Sequence, residues 1–142
     1  MTIRIAVRAF IGLTLFVMLG GRSLMAQGTD PAAQAAAESW VALIDQGQYA
    51  SSWEAAAASF KNAVPQQKWA EAVSVARGPF GALKSRGVKS STATKTLPGA
   101  PDGDYVVLQF NTAFEKKAAA LETITVLHDP DGQWRVVGYF VR

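Results

Sequence analysis

The chain has 142 residues, 49% hydrophobic and 18% charged, with 14 basic and 11 acidic side chains, a single histidine and no cysteine. That excludes a disulfide framework, a cysteine-ligated metal and a thiol nucleophile, and the length fits one domain. Four Trp, seven Phe and three Tyr give enough bulk for a core and argue against disorder.

Residues 1–26 carry the pattern of an export signal. Arg4 and Arg8 form a positive start, Ala9 to Leu19 is an apolar run too short for a membrane span, and Leu24-Met25-Ala26 offers a cut before Gln27. An uncleaved N-terminal anchor is the alternative. The expected plan is a signal peptide over 1–26 and one domain over 27–142, exported to the periplasm, without stable membrane insertion after cleavage near Ala26. Loss of Arg4, Arg8 and Arg22 takes the basic count from 14 to 11, so the remaining chain is formally neutral. Its charge is unevenly spread, acidic before residue 60 and basic over 61–95, where Glu71 is the lone acid. The basic stretch lacks interleaved aromatics and nucleic-acid motifs, so it reads as a solvated face and no nucleic acid is expected.

Asp30-Pro31 reads as a helix start, a capping carboxylate followed by a proline at the first turn. Ala33, Ala36, Ala37, Trp40, Val41 and Ile44 then recur at helical spacing as far as Gly47. A second helix is expected from Tyr49 to Asn62, with Ala50, Trp53, Ala57 and Phe60 on one face. A third runs from Pro65 to Gly78-Pro79, with Trp69, Ala72, Val73 and Ala76 as its stripe. The period then changes to two. Val88 to Leu97 reads as a lysine-bearing edge strand, and Pro98 to Gly103 as a turn. Asp104 to Phe114 is a strand, and Glu115-Lys116-Lys117 a hairpin connection. Ala119 to His128 is a further strand, Asp129 to Gly132 a tight turn, and Gln133 to Val141 the last strand.

Helices followed by consecutive antiparallel strands predict an α+β domain, three helices on one face of a roughly four-stranded meander. Both faces of that sheet carry apolar residues. Tyr105, Val107, Leu121, Leu127, Val137, Tyr139 and Val141 alternate with Val106, Leu108, Phe110, Ile124, Val126, Val136 and Phe140. The first set is expected on a second face that needs a cover, and Tyr105, Val107, Leu127, Val137 and Tyr139 are its candidate interaction surface.

Several motifs together resemble one family. They are Leu97-Pro-Gly-Ala-Pro-Asp-Gly-Asp-Tyr105, Glu122-Thr123 and Asp131-Gly-Gln-Trp134-Arg-Val-Val-Gly-Tyr139 in the C-terminal half. Upstream stand Trp69, Arg77, Gly81 and Arg86, and the segment from Trp40 to Asp45 with Gly47 and Tyr49-Ala-Ser-Ser-Trp53. The set resembles the domain of unknown function 4019 (DUF4019) family over roughly Gln34 to Val141. The resemblance implies a small exported protein of Gram-negative bacteria with no established activity. The helices-then-meander plan is similar to cystatin-like and nuclear-transport-factor-like cones, an analogy of fold that supplies no function.

Among residues able to carry chemistry, His128 at a strand end beside Asp129 reads as a surface turn residue rather than a base. Asp129, Asp131 and Gly132 lack the further ligands of a calcium loop. Trp40, Trp53 and Trp69 lie on helix stripes and read as core. Arg77, Arg86 and Glu122 stand apart: Glu122 is in phase with Ile124 and Val126, so an inward carboxylate needs a cationic partner. They form either a buried ion pair locking helices to sheet or a ligand pocket whose arginine fork would take a small anionic ligand.

Three functions follow in order of preference. The first is a non-enzymatic exported accessory module that binds a periplasmic protein partner, or itself as a homodimer, through the second sheet face. The second is a carrier of a small molecule or lipid in an arginine-lined cone. The third is an enzyme using that pocket. No catalytic residue, cofactor or metal is expected.

Overall fold

A computed structural model describes residues 30–142; the proposed export signal lies outside the described residues. Helix α1 spans Pro31–Asp45, and Asp30 Oδ1 accepts from Ala32 N at 2.8 Å, satisfying one of the free donors of the first turn. Its buried stripe is Ala33, Ala37, Trp40, Val41 and Ile44. The helix stops before Gly47, whose φ of 73° is a conformation that other residues adopt only under strain.

The single helix expected over 49–62 is two, α2 over Tyr49–Ala55 and α3 over Ala58–Ala63. Ala56 and Ala57 between them are extended and buried. Ala57 N donates to Val136 O at 2.9 Å. That bond to the outer edge of the sheet competes successfully with helix propensity, which alanine otherwise favours. Helix α4 follows at Gln66–Arg77 and runs into a 3₁₀ turn at Gly78–Phe80. It buries Trp69, Val73 and Arg77, every fourth residue, so Ala72 and Ala76 of the expected stripe face outward.

Strand β1 spans Leu83–Thr94, starting earlier than the sequence pattern indicated and taking in Arg86. Strands β2 (Tyr105–Phe114), β3 (Lys117–His128) and β4 (Trp134–Val141) complete an antiparallel sheet in the order β1-β2-β3-β4. The architecture is α+β, with four helices rather than three against a four-stranded antiparallel meander. The sheet is open, with β1 and β4 as its edges, so the expected cone is not closed. The core lies between α1, α2, α4 and the inner face, around Trp40, Ile44, Trp69, Leu108, Phe110, Ile124 and Val126.

One irregularity decides which side chains reach that core. Val136 pairs with Val126, but the next pair is Gly138 with Thr125, so Val137 is an extra residue on β4. A bulge of this kind reverses the facing of everything after it. Tyr139 therefore sits opposite Ile124 and packs inward on Trp40 at 5.6 Å between ring centroids. Phe140 turns outward and is 75% exposed. Strict alternation had put Tyr139 on the second face and Phe140 in the core, and the bulge exchanges them. Ile124→Ala is expected to cost about 2–5 kcal/mol and Phe140→Ser less than about 0.5 kcal/mol in urea unfolding. A large loss from Phe140→Ser would restore the unbulged register.

Candidate functional site

At the end of the sheet where α1 and α4 finish, six side chains from six elements form a buried ion cluster. Glu122 of β3 is fully buried. Its Oε1 accepts from Arg86 Nε at 2.7 Å and Thr112 Oγ1 at 2.6 Å, and its Oε2 accepts from Tyr139 OH at 2.5 Å. Asp45, the last residue of α1, takes a two-pronged bond from Arg86, Nη1 to Oδ2 at 2.7 Å and Nη2 to Oδ1 at 2.9 Å. Arg77 Nη2 donates to the same Oδ1 at 2.8 Å, and Arg77 Nη1 lies 3.6 Å from Glu122 Oε2. The Arg77 guanidinium also rests 4.4 Å from the Phe114 ring centroid, a cation–π contact.

Two arginines and two carboxylates make the cluster neutral. Taking any of the four charges from water is costly, and only close, geometrically matched partners offset that cost. Asp45 ends a helix, where the backbone dipole disfavours negative charge, so it depends on its arginines. Burial alone would raise the Asp45 pKa, but the hydrogen bonds from Arg86 and Arg77 outweigh it and hold it below the usual carboxylate range. Arg86 is likewise opposed by burial, and its bonds to Asp45 and Glu122 push its pKa further up. Burial and the Glu122 charge raise Tyr139, which keeps its phenol protonated and able to donate.

The structure thus brings Arg77, Arg86 and Glu122 together, and adds Asp45, Thr112 and Tyr139, which the sequence reading did not assign to them. Arg77 is 5% exposed and Arg86 11%; Arg86 Nε and the Nη groups of both bond within the cluster, and Arg77 Nε is buried without a partner. Neither lines the grooves described below. A fork open to a small anion is not what the geometry presents.

The open site lies at the opposite end of the sheet. A groove of about 1190 Å³ runs over the second face, from the loop at 97–103, across β3 and β4, to α3 beside the β4 edge. Its apolar surface comes from Leu97, Tyr105, Leu127, Val137 and Phe140. The loop wall is tied down: Tyr105 OH donates to Pro101 O at 2.6 Å, and Gly103 N to Lys95 O at 3.0 Å. A Cβ at Gly103 would lie 3.2 Å from Leu127 Cδ1 and 3.4 Å from the Tyr105 ring, so a larger residue there would have to displace the leucine. Of the predicted interaction face, Tyr105, Leu127 and Val137 line the groove, Val107 is half-buried on the same face, and Tyr139 is turned inside by the bulge. Phe140, in phase with Val136 by strict alternation, takes its place on that face.

A smaller hollow of about 460 Å³ opens beside it on the helix side, near Asp30, Ala93, Val106 and Trp134. His128 stacks on Trp134 at 4.7 Å and lies at the lip of both. Asp129 and Asp131 both accept from Arg135, which holds Asp131 down at about 2. Trp40 Nε1 donates to Ser52 O and Trp69 Nε1 to Ser52 Oγ, so this buried serine, not singled out from sequence, anchors both rings. Among the described residues no group of three His, Asp or Glu side chains could hold a metal ion, and no helix is long and apolar enough to cross a membrane.

Fold and site together define a small α+β domain, with a neutral ion cluster closing one end of its sheet and an apolar groove open at the other. A family model described as "Protein of unknown function (DUF4019)" matches residues 36–139, and the chain belongs to that family. No curated protein matches the sequence.

The ion cluster fixes a pH response. The folded pKa of Asp45 lies below its ordinary 3.8. Its contribution to stability is therefore complete above the unfolded carboxylate range and is lost as pH falls through the lower folded value. The gap in Tm between the native protein and Asp45→Asn should be widest between about pH 5 and 7 and narrow below about pH 4. A gap unchanged down to about pH 2 would show that Asp45 gains nothing from its arginines.

Proposed function

We propose that the protein is a non-enzymatic carrier or binding module that takes a small apolar molecule in the groove over the second sheet face. The observation that carries this reading is the groove itself, apolar on its floor, walled by a tied loop and large enough for a ligand of drug or lipid size. It departs from the arginine-lined pocket expected for a carrier, because the arginines are already occupied by Asp45 and Glu122. Export to the periplasm is part of the proposal and rests on the pattern of residues 1–26.

A second reading keeps the same face and replaces the ligand with a protein partner or a second copy. It is supported by the exposed Phe140 and by the position of β4 at the sheet edge. Native mass spectrometry separates the two, a monomer carrying a small adduct favouring the carrier and a bare dimer favouring the partner. Titration with the uncharged dye N-phenyl-1-naphthylamine tests the groove. Saturable fluorescence enhancement is expected, weakened about tenfold or more by Phe140→Asp, which places a charge where an apolar contact stood. Enhancement that ignores this substitution would remove the groove as the site.

A further inference from the structure

The groove differs from an ordinary apolar cleft in the sign of its rim. Apart from Tyr105, its ionisable lining consists of Asp102, Asp104 and Asp129 with His128, and no Lys or Arg is among the described residues that line it. Lys95 pairs with Asp104, and Arg135 is shared between Asp129 and Asp131. Those two cations leave four carboxylates at this end of the sheet with two units of uncompensated negative charge. Asp102 has no hydrogen-bond or ion partner among the described residues. Lys61 of the neighbouring α3 is engaged elsewhere, over the Trp53 ring and on Glu54 O.

The opposite end of the sheet carries the other sign. Lys84 at the start of β1, Lys116 and Lys117 at the β2–β3 turn and Arg142 after β4 lie there together with Glu115 and the neutral ion cluster. Charge is therefore polarised along the strands, and the negative pole coincides with the mouth of the apolar groove. A low-dielectric cleft with a one-signed rim concentrates counter-charged molecules at its entrance. It disfavours an amphiphile whose head carries the same sign.

We infer that the groove takes a cationic amphiphile, its apolar body lying on Leu127, Val137 and Phe140 and its amine or quaternary ammonium head beside Asp102 and Asp129. This rests on the groove reading above and reverses the sign of the small anionic ligand that the sequence suggested. The loop position of Asp102 suits such a head group, since it projects from the preformed wall with no internal partner to displace.

The test uses three probes with one tail, octyltrimethylammonium, octyl sulfate and octyl glucoside. Each is titrated below its micelle concentration into the full chain recovered from expressing cells, with binding read by calorimetry. The ammonium is expected to bind about fivefold or more tightly than the sulfate, with the glucoside between them. Raising the salt should shrink that advantage, and Asp102→Asn should reduce it by about half or more. Equal binding of all three, still weakened by Phe140→Asp, would overturn the charge inference and leave the apolar groove standing. Failure of all three to bind, or indifference to Phe140→Asp, would overturn both.

Discussion

The pairing of two arginines with Asp45 and Glu122 is the constraint on which the rest of the architecture depends. The four charges come from the end of α1, the end of α4, β1 and β3, and Thr112 and Tyr139 add β2 and β4. Every strand and two of the four helices are thereby tied at one end. A buried charge set of this kind need not exceed an apolar core in net stability. What it imposes is registry, because a strand slipped by one residue or a helix turned by one position leaves an ion without its partner inside the protein. The cost of such an error falls on the misfolded alternatives.

The bulge at Val137 belongs to the same constraint. Without it, Tyr139 would face away from the helices and Glu122 Oε2 would lose its shortest hydrogen bond. With it, the phenol enters the aromatic group of Trp40 and Trp69 and Phe140 is displaced to the outer face. One inserted residue thus completes the ion cluster on one side of the sheet and the apolar groove on the other. The closed end is held by buried ion pairs, whereas those of the groove end, Lys95 with Asp104 and Arg135 with Asp129 and Asp131, lie nearer the surface. Structure and binding surface are divided between the two ends of one sheet.

Much of this was legible in the sequence, and the gaps have physical causes. The cap at Asp30-Pro31, the stripe from Ala33 to Ile44 and the alternation in β2 are local patterns, and local patterns were enough to place them. Glu122 could be read as inward because its neighbours two and four residues on are Ile124 and Val126. Its phenol partner could not, because a bulge leaves no mark in the alternation of Val136-Val-Gly-Tyr-Phe-Val141. The break at Ala56-Ala57 was hidden for a similar reason, being fixed by a bond to β4 from residues that otherwise favour helix. Nothing local singles out Asp45, and only the fold brings Arg77 and Arg86 to it. The open groove followed from the mixed facing of β2, β3 and β4, whereas its acidic rim comes from two separate turns that the topology places side by side.

The claim that the ion cluster acts as one unit is tested most directly by a double-mutant cycle between Asp45→Asn and Glu122→Gln, measured by urea unfolding at neutral pH. The two carboxylates do not touch, but they share both arginines. Each single change should cost about 3–5 kcal/mol by leaving cationic charge buried and underpaired, and the double change should differ from their sum by about 1 kcal/mol or more. Additivity within about 0.5 kcal/mol would mean two independent ion pairs and would contradict the account.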